Sequence, residues 1–335
     1  MSTPERAFSS PALPPIGPDR PWLAPLAGYS DLPFRLLCRE HGAAAACTEM
    51  VSAKGLYYAK RGGGAGSEAL LATTPDDAPL IIQLFGAEPD ILEEVTAELA
   101  TRFPAGRVWF DLNMGCSVPK VIKTGSGAAL LQDADKALAC AAAMLRAAPG
   151  RVGFKLRLGW LPGEETYLRL GPALENLGAA WLTLHPRSAR QGFSGLAERA
   201  ALARLKREVS IPVLGSGDLY TAEDARACLN ETGIDGVMFA RGAMSSPRIF
   251  ADLAELCQNR APAPLTESGL KNLIRRHMDL ARIFGGERTA IFKMRTFVPR
   301  YVKHLPGARA MRQDMASCTD WAGLEQLLNR HIQTA

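Results

Sequence analysis

Cys116, within DLNMGCSVPK (111–120), is the side chain whose sequence surroundings best suit it to chemistry. The run RVWF (107–110), continued by Asp111 and Leu112, is apolar, aromatic and β-branched, as a buried strand requires. The strand ends at Asn113, and Met114 and Gly115 turn the chain so that Cys116 stands on the loop beyond. In a parallel barrel that loop faces the active site. A thiol there can give up a proton or attack as a thiolate; the bland alternative is an inert, packed cysteine.

Other polar residues gather at the ends of neighbouring apolar segments. The third segment ends near Gln83, the fifth in Lys155-x-Arg157 and the sixth in His185-x-Arg187. Alternate side chains of a strand share a face, so each K-x-R or H-x-R pair points one way. Any one of these side chains could be structural. Together, on consecutive segments, they imply one pocket lined by cations and hydrogen-bond donors. The last two segments end in glycine turns, IPVLGSGDL (211–219) and GVMFARGAMSSP (236–247). Loops after strands seven and eight are where barrels hold phosphate, with Ser216, Gly217, Asp218, Ala240 and Arg241 at the turns. No G-x-G-x-x-G follows a strand, and neither H-E-x-x-H nor G-x-S-x-G occurs. His and carboxylate residues are too sparse for a metal site, so none is expected. The combination suits flavin mononucleotide (FMN), whose reduced N5 delivers hydride while Cys116 supplies the proton. Lys155 would then stabilise negative charge at the N1–O2 edge.

The elements that must position these residues alternate regularly. Apolar strands are expected at 22–27, 44–49, 79–85, 107–113, 151–157, 179–185, 211–216 and 236–240. Helical patterns lie between them at 31–40, 88–102, 133–148, 164–177, 198–208, 221–231 and 246–258. Eight βα units in about 240 residues predict an α/β chain with a (β/α)8 TIM barrel rather than a doubly wound sheet. APAPLTESG (261–269) breaks the pattern and reads as a linker, and only helical patterns follow. The expected domains are a flexible or surface-hugging lead-in (1–20), a catalytic barrel (21–260) and a C-terminal all-helical domain (261–335).

Composition bounds the function. Of the 335 residues, 47% are apolar and 22% charged, so a soluble globular chain is expected. No apolar run is long enough to span a bilayer, and the proline-rich start has no secretory core. Seven scattered cysteines without a C-x-x-C pair fit a reducing cytoplasm. The basic surplus is confined to one end: from Arg260 onward there are 13 Lys/Arg against six Asp/Glu. Between Arg288 and Arg312 lie seven basic residues (Arg288, Lys293, Arg295, Arg300, Lys303, Arg309 and Arg312) and no acidic one. Such a segment is either a solvated helical face or a grip for a polyanion, and the absence of acids favours the grip.

Seven segments in order, APLAGYSDLPFR (24–35), QLFG (83–86), DLNMGCSVPKV (111–121), KLR (155–157), HPR (185–187), GSGD (215–218) and ARG (240–242), resemble the successive motifs of the tRNA-dihydrouridine synthase family, nearest its bacterial B-type members. The basic segment 287–312 resembles the family's tRNA-binding tail. The resemblance implies reduction of the C5–C6 bond of particular uridines in tRNA, on FMN re-reduced by NADPH. It implies Cys116 as proton donor to C5, and FMN held by Pro25, Leu26, Ala27, Gln83, Lys155, His185, Ser216, Gly217, Asp218, Ala240 and Arg241. It places Asn113, Arg157 and Arg187 at the uracil and Lys293, Arg295, Arg300 and Lys303 on the tRNA, with the chain a cytoplasmic monomer that meets no membrane. Ser117, Leu26, Ser216 and Ala240 depart from the family's usual proline, methionine, asparagine and glycine, and none removes a group the reaction needs. Two rivals are an FMN reductase of a free pyrimidine, which needs no basic tail, and an RNA-binding barrel without catalysis, which needs neither Cys116 nor Lys155.

Overall fold

A computed structural model describes residues 12–62 and 65–332; residues 1–11 of the expected lead-in and the side chain of Arg288 lie outside what it describes. One parallel sheet contains β1 (Trp22–Leu23), β2 (Ala45–Cys47), β3 (Val51–Ser52), β4 (Leu80–Phe85), β5 (Val108–Met114), β6 (Val152–Arg157), β7 (Leu182–His185), β8 (Val213–Gly215) and β9 (Gly236–Phe239). β1 pairs with both β2 and β9, and β2 also pairs with β4, so eight of these strands close into a barrel. Each of the eight expected segments matches one barrel strand, β5 running one residue further than expected, through Met114, which the sequence places in the turn. β3 was not anticipated: it adds two residues beside the end of β4, through Val51 opposite Leu84, and two residues show no period.

Helices cover the outside, and their starts follow from capping. The Asp133 carboxylate accepts from the Lys136 amide at 3.0 Å to open helix 134–147. Thr221 and Asp224 form a reciprocal capping box for helix 222–232, which Gly233 ends in the left-handed region. The expected linker ends earlier than its composition suggested. The Thr266 hydroxyl accepts from the Gly269 amide at 3.0 Å and starts helix 267–284 inside it. The expected helix 246–258 begins only at Ile249 and runs to Cys257; a separate short helix, Arg241–Ser245, precedes it and ends before Pro247, which cannot continue it.

Strand alternation splits the apolar residues in two. One set faces the helices; the other fills the lower lumen with Trp22, Trp109, Trp181, Ile81, Leu214 and Met238. The Trp22 and Trp181 rings meet edge to face at 5.4 Å. Gly153 on β6 admits the Trp181 indole, for a Cβ there would lie 2.0 Å from its Cε2. Above these rings the inward positions turn polar, with Gln83, Asp111, Asn113, Lys155 and Arg157.

The C-terminal helices 267–284, 287–301, 308–317 and 321–331 share one continuous apolar core with the outer barrel layer. Their anchor is aromatic: Phe34 of helix 32–40 lies 4.7 Å from Phe297, which lies 4.6 Å from the His277 ring. The Arg276–Glu40 ion pair at the rim is solvated and contributes at most about 1 kcal/mol. Truncating a buried Phe such as Phe297 costs about 3–5 kcal/mol, so apolar packing holds the helices in place.

His277 is fully enclosed here, with Nδ1 2.9 Å from the Tyr301 hydroxyl. Burial, and then nearby Lys293, push its pKa down to about 3. The unfolded chain takes up a proton near 6.5 that the folded chain refuses until about 3. Stability is therefore full above pH 6.5 and falls as pH drops from there toward 3, by up to about 1.4 kcal/mol per pH unit. His277→Phe, which cannot protonate, should flatten this slope. Urea midpoints between pH 7 and 4.5 that fall as steeply as in the parent chain would remove His277 from the account.

Candidate functional site

At the C-terminal end of the strands an open cavity of about 250 Å³ sits above the indole layer. Ala24 and Met238 of the lumen cluster form its floor. Around it stand Pro25, Leu26 and Ala27 after β1, Asn113 and Cys116 at β5, Lys155 and Arg157 on β6, and His185 on β7. Ser216, Gly217 and Asp218 follow β8, and Ala240 and Arg241 follow β9. All of these were expected from the sequence. Met50, Val118, Phe193 and Tyr220 line the cavity too and were not. Phe193 and Tyr220 are exposed aromatics on long loops, the one signal that could have marked them.

The cysteine loop is held at several points. The Asn113 side-chain oxygen accepts from the amides of Gly115 at 3.0 Å and Cys116 at 2.8 Å. Arg157 donates from Nε to the Gly115 carbonyl at 2.7 Å and from Nη1 to the carbonyls of Ser188 and Gly192, both at 2.9 Å. One guanidinium thus ties the cysteine loop to the loop carrying Phe193. Beneath, the Cys116 carbonyl accepts from Ala128 at 2.9 Å, and a Cβ on Gly127 would lie 2.6 Å from that same oxygen. Gly127 adopts φ +62, which glycine takes without strain.

Two expected residues lie behind the cavity wall. Gln83 is fully buried, its amide donating to Asp111 and accepting from Asn113, each at 2.7 Å. Arg187 is also buried and grips Asp218 at 2.6 Å, with further bonds to the carbonyls of Ser194 and Gly195. Asp218 pairs with Arg241 at 3.2 Å as well. The Arg241 guanidinium lies 5.1 Å from the Phe193 ring and 4.9 Å from the Tyr220 ring.

The expected tail residues divide. Lys293 pairs with Asp31 at 2.6 Å and lies 3.8 Å from Glu49. Arg300 donates to the Tyr29 hydroxyl at 3.0 Å, and Lys303 to the Ser245 hydroxyl at 3.3 Å. These three reach the barrel mouth. Arg295 turns instead into the tail, donating to the Ala316 carbonyl. Lys303, Arg309 and Arg312 are exposed and form no ion pair among the described residues.

Burial with few anions sets the electrostatics. Desolvation and then Arg157 lower the Lys155 pKa, while desolvation raises that of Asp111 below it. Burial, followed by Lys155, Arg157, Arg187 and Arg241, pushes His185 well below its ordinary value, so it is neutral at pH 7. Burial raises the Cys116 thiol, and the Val118 amide, Arg157 and Lys155 offset this only in part. The site therefore holds a protonated thiol and a neutral imidazole beside cations. Lys155 makes no hydrogen bond or ion pair among the described residues, which leaves its donors for an electron-rich ligand.

The family model described as dihydrouridine synthase matches residues 22–335. A Synechocystis protein named "Probable tRNA-dihydrouridine synthase 1" is 33% identical over 93% of this chain and 86% of its own. tRNA-dihydrouridine synthase B of Pseudomonas aeruginosa is 33% identical over 88% of this chain and 87% of its own. Among solved structures, histamine dehydrogenase from Rhizobium sp. 4-9 superposes with a TM-score of 0.51 at 15% identity, over 81% of this chain and 50% of that one; it shares the fold. With its motifs in order around one cavity and the family model matched from the first barrel strand onward, the chain belongs to the dihydrouridine synthase family.

Proposed function

We propose that this chain reduces the C5–C6 double bond of uridines in tRNA to give 5,6-dihydrouridine on a bound flavin. The observation that carries this reading is a half-buried thiol on a braced loop, facing Lys155, Arg157 and His185 across one cavity. The donor set fits FMN. Pro25, Leu26 and Ala27 would flank the ring system, Lys155 and His185 would donate to its polar edge, and Gln83 would brace that wall from behind. Ser216, Gly217, Asp218, Ala240 and Arg241 would surround the phosphate. When bound, FMN would supply hydride for C6 of the uracil, with NADPH as the source of the electrons.

The chain's own residues do the rest. Cys116 gives its Sγ proton to C5 and is left as a thiolate that recovers a proton from solvent. The raised thiol pKa keeps that proton in place at neutral pH. Asn113, Arg157 and Arg187 set the shape of the uracil pocket, Arg187 by fixing Asp218. A uracil stacked in a duplex cannot enter the cavity, so the target base is unstacked or swung out. Lys293, Arg295, Arg300 and Lys303 belong to the tRNA-facing tail, with Lys303, Arg309 and Arg312 offering the charges best placed for phosphate. No described helix is long and apolar enough to cross a membrane; we place the reaction in the cytoplasm and the chain at work as a monomer.

Three outcomes test this reading. Cys116→Ala should bind flavin and be reduced by NADPH as before, yet reduce tRNA uridine roughly 10²–10⁴-fold more slowly. Turnover near that of the parent chain would make Cys116 structural.

Arg241→Ala should purify with most of its flavin gone, since a guanidinium is the strongest phosphate partner at the mouth. Full flavin absorbance per chain in that variant would place the phosphate elsewhere.

Arg309→Ala/Arg312→Ala should raise the KM for tRNA and flatten the fall of affinity with salt, leaving reduction by NADPH unchanged. Parent-like affinity and salt slope would return these charges to a solvated face.

A further inference from the structure

Asp111 touches neither the cavity nor the thiol, yet the hydrogen bonds above it run in one direction to Cys116. The carboxylate lies in the lumen, 2% exposed, on β5 and in register with Gln83 of β4. In its ionised form the carboxylate only accepts, so Gln83 turns its NH2 toward it, and Nε2 stands 2.7 Å from Asp111 Oδ2. The Gln83 oxygen is thereby aimed at Asn113, which must present its own NH2, again at 2.7 Å. The Asn113 oxygen then faces the loop, where the Gly115 and Cys116 amides can only donate. Reversing any one amide sets donor against donor or acceptor against acceptor. The Met50 sulfur, 3.0 Å from Asn113 Nδ2, takes a second bond of the same polarity. Thr48 anchors the middle of the chain by accepting from the Gln83 backbone amide at 3.1 Å.

We propose that Asp111 is a positioning residue: through Gln83 and Asn113 it fixes the polarity of the bonds that hold the loop presenting Cys116. The other Asp111 oxygen is buried without a hydrogen-bond partner. A buried unsatisfied carboxylate oxygen costs stability, and a neutral residue of similar size would avoid that cost. Across β6, Lys155 sits in register with Asn113 and is the cation facing this group. The constraint matters because a loop displaced by a fraction of an ångström takes the proton donor out of reach of its target. Only that catalytic consequence rests on reading Cys116 as the acid; the control of the loop does not.

The test is alkylation of Cys116 by iodoacetamide in the chain freed of flavin, resolved from other sites by peptide mass. Cys257, half-buried and far along the chain, serves as the internal reference. Asp111→Leu removes the acceptor, and Gln83→Met cuts the connection while keeping length and bulk. In both, the Cys116 rate relative to Cys257 should rise about fivefold, as the loss of one net hydrogen bond would open the loop. Asp111→Asn, which still offers an oxygen to Gln83, should stay near the parent rate. In the flavin-loaded enzyme, Asp111→Leu should lower turnover at saturating tRNA about tenfold or more with the KM for tRNA unchanged. If Asp111→Leu does not fold, Gln83→Met reads the same loop. Folded variants whose Cys116 alkylates at the parent rate, or an Asp111→Asn as disturbed as Asp111→Leu, would overturn the proposal. A slow Cys116→Ala or its absence leaves this readout untouched, so the two hypotheses fail separately.

Discussion

Closing eight parallel strands leaves a lumen that side chains must fill, and everything functional here stands on how it is filled. Trp22, Trp109 and Trp181 occupy the lower part, and Gly153 is the concession that lets the last of them in. Three indoles make a stiff floor, since buried aromatics bring large contact area and few rotamers. With the floor set, the next inward positions cannot be filled by more apolar bulk without closing the cavity. They carry Gln83, Asp111, Lys155 and Asn113 instead; Gln83, Asp111 and Asn113 find partners among one another, while Lys155 is left without one among the described residues.

That scarcity of partners explains the electrostatics of the mouth. Lys155, Arg157, Arg187 and Arg241 converge, while Asp111 and Asp218 are the carboxylates among them. Desolvation and the neighbouring cations keep His185 neutral, and desolvation alone, against the pull of Arg157 and Lys155, raises the Cys116 thiol so that it stays protonated. Asp218 counters the trend. Burial would raise its pKa, but bonds from Arg187 and the Ala197 amide, with Arg241 nearby, hold it below the ordinary carboxylate range. The anion thereby orders two guanidinium groups and the turn after β8 at once.

The helical tail is joined to this site through a short stretch of chain. Lys293 reaches Asp31 and approaches Glu49, Glu49 accepts from the Gly28 amide at 2.5 Å, and Arg300 donates to Tyr29. Gly28, Tyr29 and Asp31 fall just after Pro25–Ala27, on the loop that leaves β1, and Glu49 reaches them from the turn between β2 and β3. The aromatic packing of Phe34, His277 and Phe297 lies directly beneath. The tail surface proposed to meet tRNA and the loop proposed to flank the flavin thus share one seat. It also means that cations read from sequence as one basic run have different tasks, some holding the seat and some facing solvent.

The architecture was legible in the chain because its physics is local. Strands buried on both faces are apolar along most of their length, as Leu80–Ile82 and Val108–Phe110 show, and Asp133 and Thr221 stop the pattern where helices begin. Cys116, Lys155, Arg157, His185 and Arg241 were legible for the same reason: polar side chains at the ends of such strands have one place to go. Asp111 was passed over as part of a strand, because nothing local marks a carboxylate that meets glutamine from the neighbouring strand. The roles of Gln83 and Arg187 behind the wall, the aromatics Phe193 and Tyr220 at the mouth, and the pairing of Lys293 with Asp31 were likewise decided by tertiary structure. Each depends on which segments the closed barrel brings side by side, and sequence periodicity records the face a residue occupies but not the partner it meets there.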